Sequence, residues 1–216
     1  MILLLIILIF IIVFLGFTIR KMIIIKDLNQ KVSEYMNSNN HYEKIINNSN
    51  ETETITEYYC KGENAVTFLK TTIKSTGETR KLMNYYNGEK VNTYIETGEN
   101  KIAILDSNGL PSKIMIIGFD YGNNIFNLFM QAITSSIKSV EYNGKDCYLF
   151  NSKMADECYI EKETGLILRA KYGAEVGENG NKSGIIVEYF YEFNNVDDSI
   201  FVEPDISEYT IQEKQN

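Results

Sequence analysis

The chain begins with an apolar run. From Ile2 to Ile19 there is no charged side chain, and the residues are almost all Ile, Leu, Val and Phe. At a rise of about 1.5 Å per residue the run spans about 27 Å, close to the hydrocarbon thickness of a bilayer. A core helix of a soluble protein would keep a polar face, and this one has none. Gly16 and Thr18 interrupt it, and both residue types are tolerated in membrane helices. The pattern therefore predicts one membrane-spanning helix. Immediately after it, Lys26 to Tyr35 places Leu28, Val32 and Tyr35 at helical spacing, which predicts a short amphipathic continuation ending at the Asn-rich run from Asn37 to Asn40.

Beyond that run the period changes to two. Short segments rich in Thr, Tyr, Ile, Val and Phe alternate with turn signals: Lys61-Gly62-Glu63-Asn64, Ser75-Thr76-Gly77, Asn87-Gly88, Thr97-Gly98, Asn108-Gly109, Asn143-Gly144 and Thr164-Gly165. Asn-Gly favours the positive backbone angles of tight hairpins, so Tyr85 to Lys90 reads as a hairpin tip and the whole stretch as an antiparallel meander. One segment departs from this. Between Tyr121 and Ile137, the residues Ile125, Leu128, Phe129, Ala132 and Ile133 form a helical stripe, with Asn123 or Asn124 as N-cap. Near the end, Ile185, Val187, Tyr189, Tyr191 and Phe193 alternate along one strand and predict a fully buried face. Ile186, Glu188, Phe190 and Glu192 make the other face only partly wet, the profile of a sheet curved around a helix or a ligand.

The pattern divides the chain into an anchor (residues 1–25), one domain (26–210) and a flexible tail (211–216). No Pro-rich linker splits the middle, whose prolines are Pro111 and Pro204. The formal net charge of −8 belongs to the part after the span. Such an acidic domain would be repelled by phosphates, so nucleic acid is not an expected partner. The membrane is, through residues 2–19. Cleavage as a secretory signal would need small residues in an A-x-A-like pattern, and Gly16-Phe17-Thr18-Ile19-Arg20-Lys21 does not supply them. A retained anchor is expected. Arg20, Lys21 and Lys26 follow the span, which on the positive-inside count favours a cytoplasmic domain.

Candidate chemistry is sparse. Cys147 and Cys158 lie in two strand-like segments around the polar stretch Asn151 to Asp156. A hairpin centred between Ser152 and Lys153 would put them opposite one another, close enough for a disulfide. In an oxidising compartment this predicts a bridge, leaving Cys60 unpaired; in a reducing one the two are small apolar fillers. The cysteines lack zinc-site spacing, so no metal is expected. His41 reads as a surface residue, and with one histidine and no G-x-S-x-G a catalytic triad has little support. A Cys60–His41 pair has only their coexistence behind it. Glu51, Glu53 and Glu57, like Glu188 and Glu192, read as solvated strand faces. Asp197-Asp198 and Glu203-Pro204-Asp205 lack the oxygen-ligand spacing of a calcium loop, and the N-x-S/T triplets at Asn47, Asn50 and Asn181 are expected by chance. No catalytic residue and no cofactor is expected. The load of 15 Tyr and 11 Phe without Trp suits either a sheet surface that admits acyl chains or a self-filled core.

Cys158 to Arg169, and above all Tyr159-Ile160-Glu161-Lys162-Glu163-Thr164-Gly165 with Arg169, follows a strand–turn–strand "Y-I-D-x-x-T-G-x-x-x-R" habit. Together with the closing Tyr191-Glu192-Phe193 strand and the segment Asp197 to Pro204, it resembles the LolA-like superfamily of lipoprotein-carrier and lipid-binding domains. The resemblance covers roughly Asp27 to Tyr209. It implies an α+β fold, a strongly curved antiparallel half-barrel wrapped on helices, here preceded by one transmembrane helix. It also implies an extracytoplasmic, extracellular-side domain, against the charge count, and a concave sheet that binds a lipid or an acylated ligand. The other expectation is a non-enzymatic sensory or interaction module that meets an envelope protein and whose cavity is filled by its own helix.

Overall fold

The computed structural model describes residues 2–36, 38–108, 124–152, 155–176 and 182–212. In chain order the elements are helix α1 (Ile2–Met36), strands β1 (Asn40–Asn48), β2 (Thr52–Lys61), β3 (Asn64–Ile73), β4 (Thr79–Asn87), β5 (Lys90–Thr97) and β6 (Asn100–Asn108), and helix α2 (Ile125–Thr134). They continue with β7 (Ser136–Tyr142), β8 (Lys145–Asn151), β9 (Glu157–Glu161), β10 (Ile167–Val176), β11 (Lys182–Phe193), two 3-10 turns (Asp198–Phe201 and Ile206–Glu208) and β12 (Thr210–Ile211). The class is α+β: a long N-terminal apolar helix and a large, unclosed antiparallel sheet. Among the described residues six strands follow α2, the last of them the two-residue β12.

The chain forms two compact units, residues 1–36 with 117–172, and residues 37–116 with 173–216. No break falls at residue 25. Helix α1 is continuous for 35 residues, about 52 Å, because the stalk pattern follows the apolar run without a helix breaker. Its first part stands bare, with Ile2 to Phe17 exposed, and it is long and apolar enough to cross a membrane. Burial starts at Thr18 and continues through Ile25 to Leu28 and Val32 of the stripe read from the sequence, whose third member, Tyr35, is half-buried.

In the first unit α1 packs with α2 and carries the turn between β9 and β10, and β7 to β10 pair as consecutive hairpins. Asn124 caps α2, its side chain accepting from the Phe126 amide at 2.9 Å. The Thr164-Gly165 turn explains the motif around it. Gly165 has φ +75°, and a Cβ there would stand 2.4 Å from the Leu28 carbonyl oxygen, so only glycine lets the turn lie on the helix. Thr164 Oγ1 donates to Glu161 Oε2 at 2.6 Å, and Lys31 Nζ of α1 donates to the Lys162 carbonyl at 2.7 Å. Arg169 lies over the Tyr159 ring at 5.7 Å. These motif residues seat a turn on a helix.

In the second unit the strands run in the order β12-β6-β5-β4-β3-β2-β1-β11, all antiparallel neighbours except the short parallel pair β12–β6. The turns fall where the Gly-containing signals predict, with positive φ at Gly62, Gly77, Gly88 and Gly98. Thr210 and Ile211 pair with Ile102 and Ala103, so residue 211, expected in the tail, belongs to the sheet. On β11, Val187 and Tyr189 are buried as expected, while Ile185 is exposed. Gly109, Asn123 and Asn181 lie outside the described residues.

Candidate functional site

The register of β1 to β6 assigns each side chain of the second unit to one of two faces. One face carries a continuous row of rings. Tyr42, Tyr59, Phe68, Tyr85, Tyr94 and Tyr209 follow one another with centroids 4.7, 5.9, 6.0, 5.7 and 5.0 Å apart, mostly edge to face. Val66, Tyr85, Tyr94 and Ala103 form its buried core, and Phe201 and Tyr209 pack on it from the C-terminal segment. The hydroxyl groups of this row are satisfied at three points. Tyr42 donates to Glu57 (2.8 Å), Tyr94 to Glu203 (2.5 Å) and Tyr209 to Glu96 (2.7 Å). Burial foremost, reinforced by these carboxylates, raises the phenol pKa at all three positions. Glu57 also lies 3.6 Å from Lys44 Nζ, so it belongs to a solvated, paired face as its alternation predicts.

The acidic clusters of the C-terminal segment have the same kind of explanation. Asp197 accepts from the Ser199 amide at 2.8 Å and Asp205 from the Ser207 amide at 3.0 Å, each capping a 3-10 turn. Those amide hydrogen bonds hold both carboxyl groups below their usual pKa. Glu203 accepts from Asn92 as well as Tyr94. Among the described residues, no group of three or more His, Cys, Asp or Glu side chains is arranged to hold a metal ion.

The opposite face is built differently. Strand β1 is central, paired to β2 and β11, and Glu43 lies next to its middle, opposite Tyr58 on one side and Tyr191 on the other. Glu43 has 0% of its surface exposed, and among the described residues neither carboxylate oxygen has a hydrogen-bond partner. Burial alone pushes its pKa up to about 8, so it is mostly protonated at neutral pH. Two residues earlier on the same face, His41 is buried with its ring 5.5 Å from Tyr58 and 6.3 Å from Phe193. This overturns its reading as a surface residue: a central strand leaves an inward side chain no route to water. The register also sets His41 directly opposite Cys60. Yet the Cys60 thiol points to the Asn39 carbonyl at 4.0 Å, and His41 Nδ1 lies 2.9 Å from the Ser38 carbonyl oxygen. Neither contact is the thiol–imidazole hydrogen bond a nucleophile would use.

Farther along this face the sheet opens into a cleft of about 750 Å³. Its floor is an apolar row across three strands, Leu69, Leu82 and Ile95, which the register places side by side. The next row, Thr71, Arg80 and Thr97, forms a polar rim, and Ile73 and Glu78 close the end. Among the described residues the Arg80 guanidinium has no hydrogen bond or ion pair. The cleft thus offers an apolar floor a few residues wide and one uncommitted cation beside it.

The expected disulfide does not form. Phe150 pairs with Cys158 and Cys147 with Glu161, and both thiols are free. The hairpin is centred later than Ser152–Lys153, since the Ser152 amide donates to the Ala155 carbonyl. Cys158 stands three positions from Cys147's partner, an odd offset in a period-two strand, so the two thiols project from opposite faces. Burial raises the pKa of both, that of Cys158 to about 12, as befits small apolar fillers.

Glu43 and the Leu69–Leu82–Ile95 row are the features the linear pattern does not reveal. His41-Tyr42-Glu43-Lys44 alternates with a polar residue on either face, and only the pairing of β1 with β11 shows which side is closed.

Comparison with known proteins gives no family model and no curated protein that matches the chain. Among solved structures, it is similar to MucB in complex with MucA(peri), at 12% identity and TM-score 0.34, covering 81% of this chain and 57% of that one. A structure of MucB alone has 12% identity and TM-score 0.35, with coverage of 83% and 62% respectively. The chain therefore spans about three fifths of the length of these MucB chains.

Proposed function

We propose that this protein is a membrane-anchored, extracytoplasmic domain of LolA-like type that binds the chain of a lipid or acylated ligand in the β2–β5 cleft. The reading is one of binding, not of catalysis. The observation that carries it is the uncovered Leu69–Leu82–Ile95 row with Arg80 on its rim. Apolar side chains aligned across strands about 4.8 Å apart make a trough some 10 Å wide, suited to a hydrocarbon tail. A guanidinium that has no partner among the described residues, beside the trough, suits a carboxylate or phosphate head. The bare α1 segment from Ile2 to Phe17 supports the anchor.

A photoactivatable fatty acid added to the full chain in phospholipid nanodiscs tests this. Cross-links on peptides containing Leu69, Leu82 and Ile95, competed by unlabelled fatty acid, are expected. Labelling confined to residues 2–19 would overturn the reading.

The second reading, a sensory or interaction module of the envelope, draws on the same face. Around Glu43, Tyr58 and Ala65 the face is closed to solvent, so much of it is already filled. An unpaired buried acid there would respond to pH, as a sensing element must.

A further inference from the structure

Helix α2 leaves most of its apolar surface uncovered. Leu128 and Ala132 face α1 and are buried, but Ile125 is 75% and Phe126 65% exposed, with Met130 and Ile133 exposed beside them. At 100° per residue, Ile125, Phe129, Ile133, Phe126 and Met130 fill one continuous arc of about 140°. Thr134, Asn127 and Gln131 occupy the arc beyond it, and no residue of α2 is charged. An exposed apolar strip of this kind on a helix is costly in water and marks a surface that meets something apolar.

The position of α2 indicates what that is. Lys21 Nζ donates to the carbonyls of Ala132 (3.0 Å) and Ser135 (2.5 Å), so it ties the C-terminal end of α2 to α1. Lys21 stands two residues past Ile19, where the charge-free span of α1 ends, and exposed apolar residues flank it at Ile19 and Ile23. The C-terminal end of α2, with Ile133 exposed on it, therefore lies beside the part of α1 where the charge-free span ends. The hairpin tips of the same unit lie elsewhere. Lys31 contacts the Lys162 carbonyl, and the Lys162 amide donates to Asp146, the partner of Glu141. Lys31 is ten residues, about 15 Å, beyond Lys21 along α1.

We infer that α2 is an interfacial helix: its Ile125–Phe126–Met130–Ile133 face lies in the headgroup region of the membrane that α1 spans. This rests on reading α1 as the anchor. An uncharged amphipathic helix binds there through buried apolar area alone, and here the anchor holds it at the surface. The unit is thereby fixed on the bilayer at two places instead of pivoting on one helix.

The chain has no Trp, so single Trp substitutions report their own surroundings. The full chain is placed in phosphatidylcholine–phosphatidylglycerol vesicles, with or without lipid brominated along the acyl chain, as Leu8→Trp, Phe126→Trp and Glu141→Trp variants. Bromolipid is expected to lower Leu8→Trp and Phe126→Trp emission at least about two-fold, the latter most with bromine near the headgroup, and to leave Glu141→Trp unchanged. Adding Ile133→Glu to Phe126→Trp should abolish the quenching while Leu8→Trp keeps it. If Leu8→Trp is quenched and Phe126→Trp is not, the inference fails although the anchor stands. Blue-shifted but unquenched Phe126→Trp emission would mean that a second copy covers the face, which also overturns it. Unquenched Leu8→Trp would instead remove the anchor itself.

Discussion

The two faces of the β1–β6 sheet are made from the same strands and obey different rules. On the aromatic face six rings follow one another, four of the five contacts edge to face, and the phenols of Tyr42, Tyr94 and Tyr209 each find a carboxylate. On the other, among the described residues, a wholly buried glutamate has no hydrogen-bond partner, and an apolar row lies open beside an arginine with no ion pair. Buried polar groups are nearly always satisfied, and local rules are broken mainly where function requires it. On the proposed reading the first face carries stability and the second meets the ligand. Neighbours such as Lys81 and Leu82 then differ in role because the pleat sends them to opposite sides.

The largest test of this contrast is on the aromatic face. Tyr94→Ala removes a buried ring between Tyr85 and Tyr209 and should cost about 3–5 kcal/mol in urea unfolding, as large-to-small core changes do. A loss below about 1 kcal/mol would mean that the ring row is ornament on a sheet held by something else.

Glu43 should behave in the opposite sense. Its pKa is raised from 4.5 to about 8, so between those values the folded chain keeps a proton that the unfolded chain has released. Its neutral form is therefore fully tolerated below about pH 4.5, and stability falls as pH rises through the window to about 8. Glu43→Leu should raise stability at pH 8 by on the order of 2–3 kcal/mol and flatten the melting temperature between pH 5 and 8. An unchanged slope in that variant would move the titration to another group.

A smaller effect is expected where the aromatic face is merely hydrogen-bonded. Tyr209→Phe keeps the ring contact with Tyr94 and removes the donor to Glu96, costing about 1 kcal/mol. The Glu96 carboxyl, held below its usual pKa chiefly by that hydroxyl, should then titrate higher in a carbon-detected NMR titration.

Much of this fold is legible in the sequence because its signals are local. Asn87-Gly88 and Asn143-Gly144 place turns through backbone angles that few other residues accept, and the Leu28–Val32 stripe and Asn124 cap mark their helices within one or two turns. What depends on pairing between distant segments is not legible. A hairpin centred slightly later separates Cys147 from Cys158, and a β1–β11 pairing more than 140 residues apart in sequence buries His41 and Glu43. The cleft is hidden for the same reason: Leu69, Leu82 and Ile95 are adjacent only across three strands.

The central claim is that the open face takes an apolar chain and the aromatic face does not. A titration of fluorescent fatty acid against the full chain in nanodiscs tests it most directly, comparing Leu82→Gln with Lys81→Gln, adjacent positions on opposite faces of β4. The account predicts saturable binding by the parent and by Lys81→Gln, weakened at least about ten-fold in Leu82→Gln with the fold retained. Equal affinity in all three, or no binding above empty nanodiscs, would contradict it.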